Sequence, residues 1–279
     1  MPSTPTRAGE VSYDTRGTGI PIVLLHATLH SLHDFDTIIP QLSGHYQTIA
    51  IDWPWHGDSS HPPGQQPTAA LFAEVLEDIV TSLNLAPAIF IGNSVGGFTA
   101  ARFAITHPEH VKALVLVNTG GFVPWDWTSK FFTRLFGIPL LSRWIMPSLV
   151  PRYMSPQSTH DTEISIQVSE LARTVEGSKI VASLWKSFLD SGYDLRGLAG
   201  EIKIPVLIVW GKRDPVIPLK VGHATHNALA GSRFEVLDAG HVVFASKPEE
   251  FLRLVEPFIE EVLGARATEL NERPTVCSR

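Results

Sequence analysis

The chain has 279 residues, 44% of them hydrophobic and 18% charged, enough for one substantial core and in keeping with α/β architectures built as one domain plus an insertion. A formal net charge of −6 spread along this length sets nucleic acid aside as a partner, because non-specific affinity for a phosphate backbone comes from clustered Lys and Arg.

In chain order, residues 1–10 are polar and proline-containing, without the apolar centre of a secretory signal. No later stretch reaches the roughly 18 apolar residues that cross a bilayer, so a cytoplasmic protein with no transmembrane segment is expected. Short runs rich in Val, Ile and Leu follow at 20–25, 46–51, 88–91, 111–117, 204–210 and 234–237. Bounded by Gly or Pro and separated by segments of helical period, they predict parallel strands joined by crossover helices. The middle four are nearly all apolar, as strands covered on both faces should be. Segment 69–85 places Leu71, Phe72, Val75, Leu76, Ile79, Val80 and Leu83 at steps of three and four, one apolar stripe to lie against a sheet. Segments 95–106 and 248–263 behave likewise.

The interval 122–198 breaks this rhythm. It has no strand-like run, but it is crowded with aromatic residues and carries four prolines between Pro124 and Pro151. It reads as a helical cap inserted between two strands. The predicted fold is therefore α/β, a mostly parallel central sheet flanked by helices, with 1–121 and 199–279 as the core and 122–198 as the cap. From Trp125 to Pro156 the cap sets Lys130, Arg134, Arg143 and Arg152 against Asp126 alone. A solvated cationic face accounts for this; so does an apolar face of Phe131, Phe132, Leu135 and Phe136 flanked by bases, suited to a lipid surface or an anionic apolar substrate. Residues 265–279 are polar enough for a frayed tail, and the single cysteine, Cys277, lies there as a free thiol with no intrachain disulfide.

The chemistry sits at the ends of strands. Gly92-Asn93-Ser94-Val95-Gly96 follows one apolar run and precedes a helical segment, where a serine on a sharp strand-to-helix turn would be exposed as a nucleophile and glycines two positions either side would prevent collisions. A Ser N-cap with packing glycines is the plainer alternative. Serine needs a base, and among twelve histidines His241 stands out, because it follows a strand through the short Asp238-Ala239-Gly240 loop. Asp214, on the loop after the preceding strand, can hold the imidazole in the useful tautomer. Serine, acid and histidine thus occur in one order, each after its own strand. His26, His30, His33 and Asp34 lie close enough together for zinc, but their loop has another role below, so no metal is expected. The chain carries no Walker or dinucleotide pattern, and no cofactor is expected.

With Ile22-Val23-Leu24-Leu25-His26 and Asp52-Trp53-Pro54-Trp55-His56-Gly57-Asp58-Ser59, these residues make the chain resemble the α/β-hydrolase superfamily over nearly its whole length. The likeness is to members with a helical cap, which include esterases, lactonases, cofactor-independent haloperoxidase-like enzymes and carbon–carbon bond hydrolases. It implies an oxyanion hole formed by the backbone N–H groups of Thr28 and Val95. The chain departs from the family pattern at Ala27 and Trp55, where glycine is usual. Serine at position 94 disfavours dehalogenase and epoxide hydrolase chemistry, which uses Asp there. Carbon–carbon hydrolases often share the Gly-Asn-Ser elbow, but their glycine- and proline-rich oxyanion loop is absent from 26–33.

The resulting expectation is hydrolysis of a carboxylic ester or lactone with an apolar or aromatic portion, through an acyl-enzyme on Ser94. A carbon–carbon hydrolase of a vinylogous diketone and a non-catalytic binding protein of the same fold are the alternatives. Trp55, Phe122, Trp125, Phe131, Trp144, Trp185 and Val242 are the expected substrate contacts.

Overall fold

The chain begins with two strands that carry no continuous apolar run. In the computed structural model, which describes residues 1–271, β1 (Ser3–Thr6) and β2 (Gly9–Arg16) form an antiparallel ribbon at one edge of the sheet. Their sequences, STPT and GEVSYDTR, are polar because much of this ribbon faces water. An exposed edge needs no continuous apolar run.

The remaining strands are β3 (Pro21–Leu25), β4 (Gln47–Ile51), β5 (Ala88–Asn93), β6 (Val111–Val117), β7 (Val206–Gly211) and β8 (Arg233–Leu237). They complete an eight-stranded sheet in the order β1-β2-β4-β3-β5-β6-β7-β8. β2 pairs antiparallel with β4, and every pairing from β4 to β8 is parallel. The sheet is therefore mixed and mostly parallel, as predicted. β3, β5 and β7 are buried along their whole length, whereas β8, at the far edge, is largely exposed.

Between the strands run α1 (Ile39–Leu42), α2 (Ala69–Ser82) and α3 (Val95–Thr106). On α2 the expected stripe is the buried face, with Phe72, Val75, Leu76, Ile79 and Val80 turned inward, and Thr68 caps its first turn by accepting from the Leu71 N–H.

Between β6 and β7 stand four helices, α4 (Trp127–Phe136), α5 (Pro139–Met154), α6 (Thr159–Arg173) and α7 (Val175–Ser187). Local sequence sets their limits. Asp126 accepts from the Ser129 N–H at the start of α4, Ser158 and Asp161 form a reciprocal capping box on α6, and Thr174 caps α7. After this insert come α8 (Leu219–Ala228), α9 (Val243–Ser246) and α10 (Pro248–Asn271). Helix α10 outruns the expected 248–263, so the backbone of 265–271 continues the helix instead of forming a tail. Cys277 lies outside the described residues. No helix among them is long and apolar enough to cross a membrane.

Candidate active site

Strand β5 sits between β3 and β6 and delivers the chain to Ser94, and α3 starts at the next residue. Ser94 has φ 56° and ψ −115°, a conformation that costs a non-glycine residue about 1–3 kcal/mol and persists only when its surroundings impose it. They do: its N–H donates to the Val117 carbonyl at 3.1 Å, and its carbonyl accepts from the N–H groups of Phe98 and Gly120, each at 3.0 Å. A Cβ on Gly92 would lie 2.5 Å from the Gly96 carbonyl oxygen, and one on Gly96 would lie 2.3 Å from that of Leu25. Both glycines are thus required for the turn to fit between helix and sheet. Val95, the first residue of α3, contributes one of the N–H groups that a helix leaves without an internal acceptor.

Asp214 and His241, on the loops after β7 and β8, are both buried, and the His241 Nδ1 lies 2.5 Å from Asp214 Oδ2. The same oxygen accepts from Asn118 Nδ2 at 2.8 Å, while Oδ1 accepts from the N–H groups of Val216 at 2.8 Å and Ile217 at 3.1 Å. Four donors satisfy a carboxylate that burial would otherwise leave costly. With Nδ1 committed to Asp214, Nε2 is the ring nitrogen left to act on a substrate. The histidine backbone is fixed from two sides. Its carbonyl accepts from Asn93 Nδ2 at 3.0 Å, and its N–H donates to the Tyr153 carbonyl at the end of α5 at 2.8 Å.

The loop after β3 is held by two buried imidazoles. His26 Nδ1 donates to the Ala27 carbonyl at 2.7 Å and its Nε2 accepts from the Trp53 N–H at 3.0 Å. His56 Nε2 accepts from the Leu29 N–H at 3.0 Å and its Nδ1 donates to the Pro54 carbonyl at 3.0 Å. Both must be neutral to accept, and burial lowers their pKa values to about 4 and about 3 respectively. Asp52 accepts from the N–H groups of Leu32 and Asp58, and burial pushes its carboxyl up from the ordinary range. This scaffold fixes a turn in which Leu29 has φ 65° and Thr28 faces the cavity. His30 and Asp34 turn to each other and not toward His26, with Nδ1 and Oδ2 2.8 Å apart in a contact too bent for a good hydrogen bond. His33 pairs with Asp36.

A cavity of about 420 Å³ opens above the sheet, bounded by Ala27, Thr28, Ser94 and His241 below and by α4, α5 and α7 above. That size suits a small organic ligand. Of the expected substrate contacts, Trp125 and Trp185 line it. Phe122 and Val242 are fully buried in the core, and Trp55 is buried in it as well, none of the three on the cavity wall. Phe131 and Trp144 face outward, 55% and 77% exposed. Helical period alone does not say which side of a cap helix meets the sheet, so aromatic content pointed to the cap without resolving its faces. The wall also holds Phe132, Leu135 and Phe136, three of the four residues of the apolar face expected on α4, together with Met146, Tyr153, Phe188 and Tyr193, which the sequence did not single out as substrate contacts. Asn118 was missed too, although its place at the end of β6 on the same sheet edge was a usable signal.

A family model described as the α/β hydrolase fold matches residues 20–144. The chain is 31% identical over 224 residues to the 2-hydroxy-6-oxononadienedioate/2-hydroxy-6-oxononatrienedioate hydrolase of Paraburkholderia phymatum, covering 77% of this chain and 76% of that protein. It is 29% identical over 253 residues to the pimeloyl-[acyl-carrier protein] methyl ester esterase of Neisseria meningitidis serogroup A, covering 87% of this chain and 77% of the relative. A thermophilic esterase from Thermogutta terrifontis superposes with a TM-score of 0.79 at 22% identity, covering 94% of this chain and 98% of that one. At that identity the likeness is one of fold.

Proposed function

The chain belongs to the α/β-hydrolase fold family, and from that premise we propose that it is a serine hydrolase acting on a carboxylic ester or lactone with an apolar or aromatic portion. Ser94 Oγ attacks the carbonyl carbon as its proton passes to His241 Nε2, and Asp214 stabilises the imidazolium that forms. The negative oxygen of the tetrahedral intermediate is held by the N–H groups of Thr28 and Val95, each such donor contributing about 3 kcal/mol. Collapse expels the alcohol, which takes the proton from His241 and leaves an acyl-enzyme. Water, deprotonated by the same imidazole, then releases the acid and returns the proton to Ser94.

The observation that carries this reading is one cavity shared by a serine on a strained elbow and a histidine backed by a four-donor aspartate. Its walls are mostly apolar, and Asp126 and Lys220 are the Asp, Glu, Lys or Arg side chains on them. A substrate with two carboxylates would meet one cation, and burying an unpaired charge is costly. A neutral or singly charged ester is therefore favoured. The second reading, a carbon–carbon hydrolase, draws on the Gly92-Asn93-Ser94 elbow and on the Paraburkholderia relative. A panel of p-nitrophenyl esters of increasing chain length, run beside an aromatic lactone and a vinylogous diketone, separates the two. Turnover of esters or the lactone, abolished in Ser94→Ala, is the expected result; turnover of the diketone alone would replace the first reading with the second.

The outer face of the cap supports an apolar source for such substrates. Trp127 and Phe131, one turn apart on α4, and Leu140 and Trp144, one turn apart on α5, are all exposed, with Lys130, Arg134 and Arg143 among them. Aromatic residues mixed with bases on exposed helices favour contact with an anionic lipid surface.

A further inference from the structure

Besides Asp214, His241 and Ser94, the same cavity borders a second carboxylate–imidazole–hydroxyl series. Asp34 Oδ2 lies 2.8 Å from His30 Nδ1, and His30 Nε2 lies 3.0 Å from the Tyr153 hydroxyl. All three residues are buried, at 1%, 2% and 4% exposure. The His30–Asp34 contact is bent away from hydrogen-bond geometry, so Asp34 acts on Nδ1 through its charge, which favours the proton there and leaves Nε2 to accept from the tyrosine hydroxyl. Burial, with the charges of Asp34 and Asp214 adding to it, pushes the Tyr153 hydroxyl far above the ordinary tyrosine range, which keeps it a donor.

This series joins three parts of the molecule that the chemistry needs in register. Asp34 and His30 belong to the loop that carries Thr28. Tyr153 belongs to the last turn of α5 in the cap and lines the cavity. Its carbonyl receives the His241 N–H at 2.8 Å, and its ring stands edge-on to the His241 ring at 5.4 Å and 77°. Gly240 is pressed against the same turn, since a Cβ there would lie 2.0 Å from the Met154 carbonyl oxygen and 2.3 Å from that of Tyr153.

We infer that Tyr153 is a positioning residue for His241, held in place through its hydroxyl by His30 and Asp34, so that the cap and the Thr28 loop together set where the catalytic base stands. The inference rests on the hydrolase reading above. Tyr153→Phe keeps the ring and the backbone carbonyl and removes only the hydroxyl. A misplacement of the order of 1 Å at a base costs about a hundredfold in rate, so the variant should lose roughly tenfold to a hundredfold in kcat on p-nitrophenyl butyrate, with KM within about twofold.

His30→Gln, whose amide oxygen can still accept from Tyr153, should retain more of kcat than His30→Ala, and His30→Ala combined with Tyr153→Phe should be no worse than either alone. A Tyr153→Phe enzyme within twofold of the parent in kcat, beside an inactive Ser94→Ala, overturns the inference and leaves the hydrolase reading standing. An active Ser94→Ala overturns the hydrolase reading instead. Should Tyr153→Phe not fold, the His30 pair decides: equal kcat in His30→Gln and His30→Ala overturns the inference, and the ordering given above supports it.

Discussion

Asn118 and Asp214 are joined at the carboxyl edge of the sheet: the Asn118 Nδ2 donates at 2.8 Å to the same aspartate oxygen that faces His241, while its Oδ1 accepts from the Gly211 N–H at 2.8 Å. Asn118 stands at the end of β6 with φ 38°, and it ties the loop after β7 to the centre of the sheet. The orientation of the aspartate is thus set from a strand that carries none of Ser94, Asp214 and His241.

Asn118→Leu is therefore expected to lower kcat/KM on a p-nitrophenyl ester by roughly tenfold to a hundredfold, because the carboxylate loses a lateral support. It should also lower stability by about 1–3 kcal/mol, since the Gly211 N–H is left buried without an acceptor. Steady-state kinetics and urea unfolding on the same preparation check both, and unchanged kinetics would remove Asn118 from the account.

Trp55 occupies a position with φ 66°, where the family usually has glycine. Its ring is buried in the core, so Trp55→Ala and Trp55→Gly both lose that packing, at a cost of a few kcal/mol. The backbone strain separates them. Glycine tolerates this φ and alanine does not, so Trp55→Gly should be the more stable of the two by about 1 kcal/mol, the reverse of the usual order. Equal urea midpoints for the two variants would show that the strain is relieved elsewhere.

Stability should fall in mild acid because of the two neutral imidazoles. Each has an ordinary pKa near 6.5, which the unfolded chain keeps, against about 4 for His26 and about 3 for His56 in the fold. Below about pH 6.5 the unfolded state therefore binds protons that the folded state refuses. The stabilisation is complete above that pH and is lost as pH falls toward 4 and then 3. Urea midpoints taken from pH 7 to pH 4.5 should decline, and His56→Gln, which can still accept from Leu29, should flatten the decline. An unaltered slope in that variant would argue that other groups govern it.

Six of the twelve large hydrophobic side chains most exposed among the described residues fall between Trp127 and Trp144. Co-sedimentation with vesicles containing phosphatidylglycerol is expected, and much less with phosphatidylcholine alone. Lys130→Glu with Arg134→Glu should abolish it, each basic side chain contributing about 1 kcal/mol near an anionic surface. Binding that ignores both lipid charge and these substitutions would leave the cap face unexplained by lipid.

The sheet was legible wherever burial forces a continuous apolar run, which is why β3 to β7 could be read from sequence and the polar ribbon β1–β2 could not; the exposed edge strand β8 was legible only through Phe234, Val236 and Leu237. The elbow was legible for a different reason: Gly92 and Gly96 meet backbone atoms on both sides, and a steric demand of that kind leaves its mark in residue type. The cavity wall left no comparable mark. Trp125 and Trp144 look alike in the sequence, yet one lines the cavity and the other faces outward, because the crossing of α4 and α5 over the sheet decides it. Tyr153 and His30, 123 residues apart, meet only through that same packing.

The proposed role of Ser94 is tested most directly by a fluorophosphonate probe followed by intact-mass measurement and peptide mapping. One adduct on Ser94, lost in Ser94→Ala and slowed by orders of magnitude in His241→Ala, is the expected result. A protein that stays unlabelled under conditions where a known serine esterase reacts fully, or a Ser94→Ala variant that labels as fast as the parent, would contradict it.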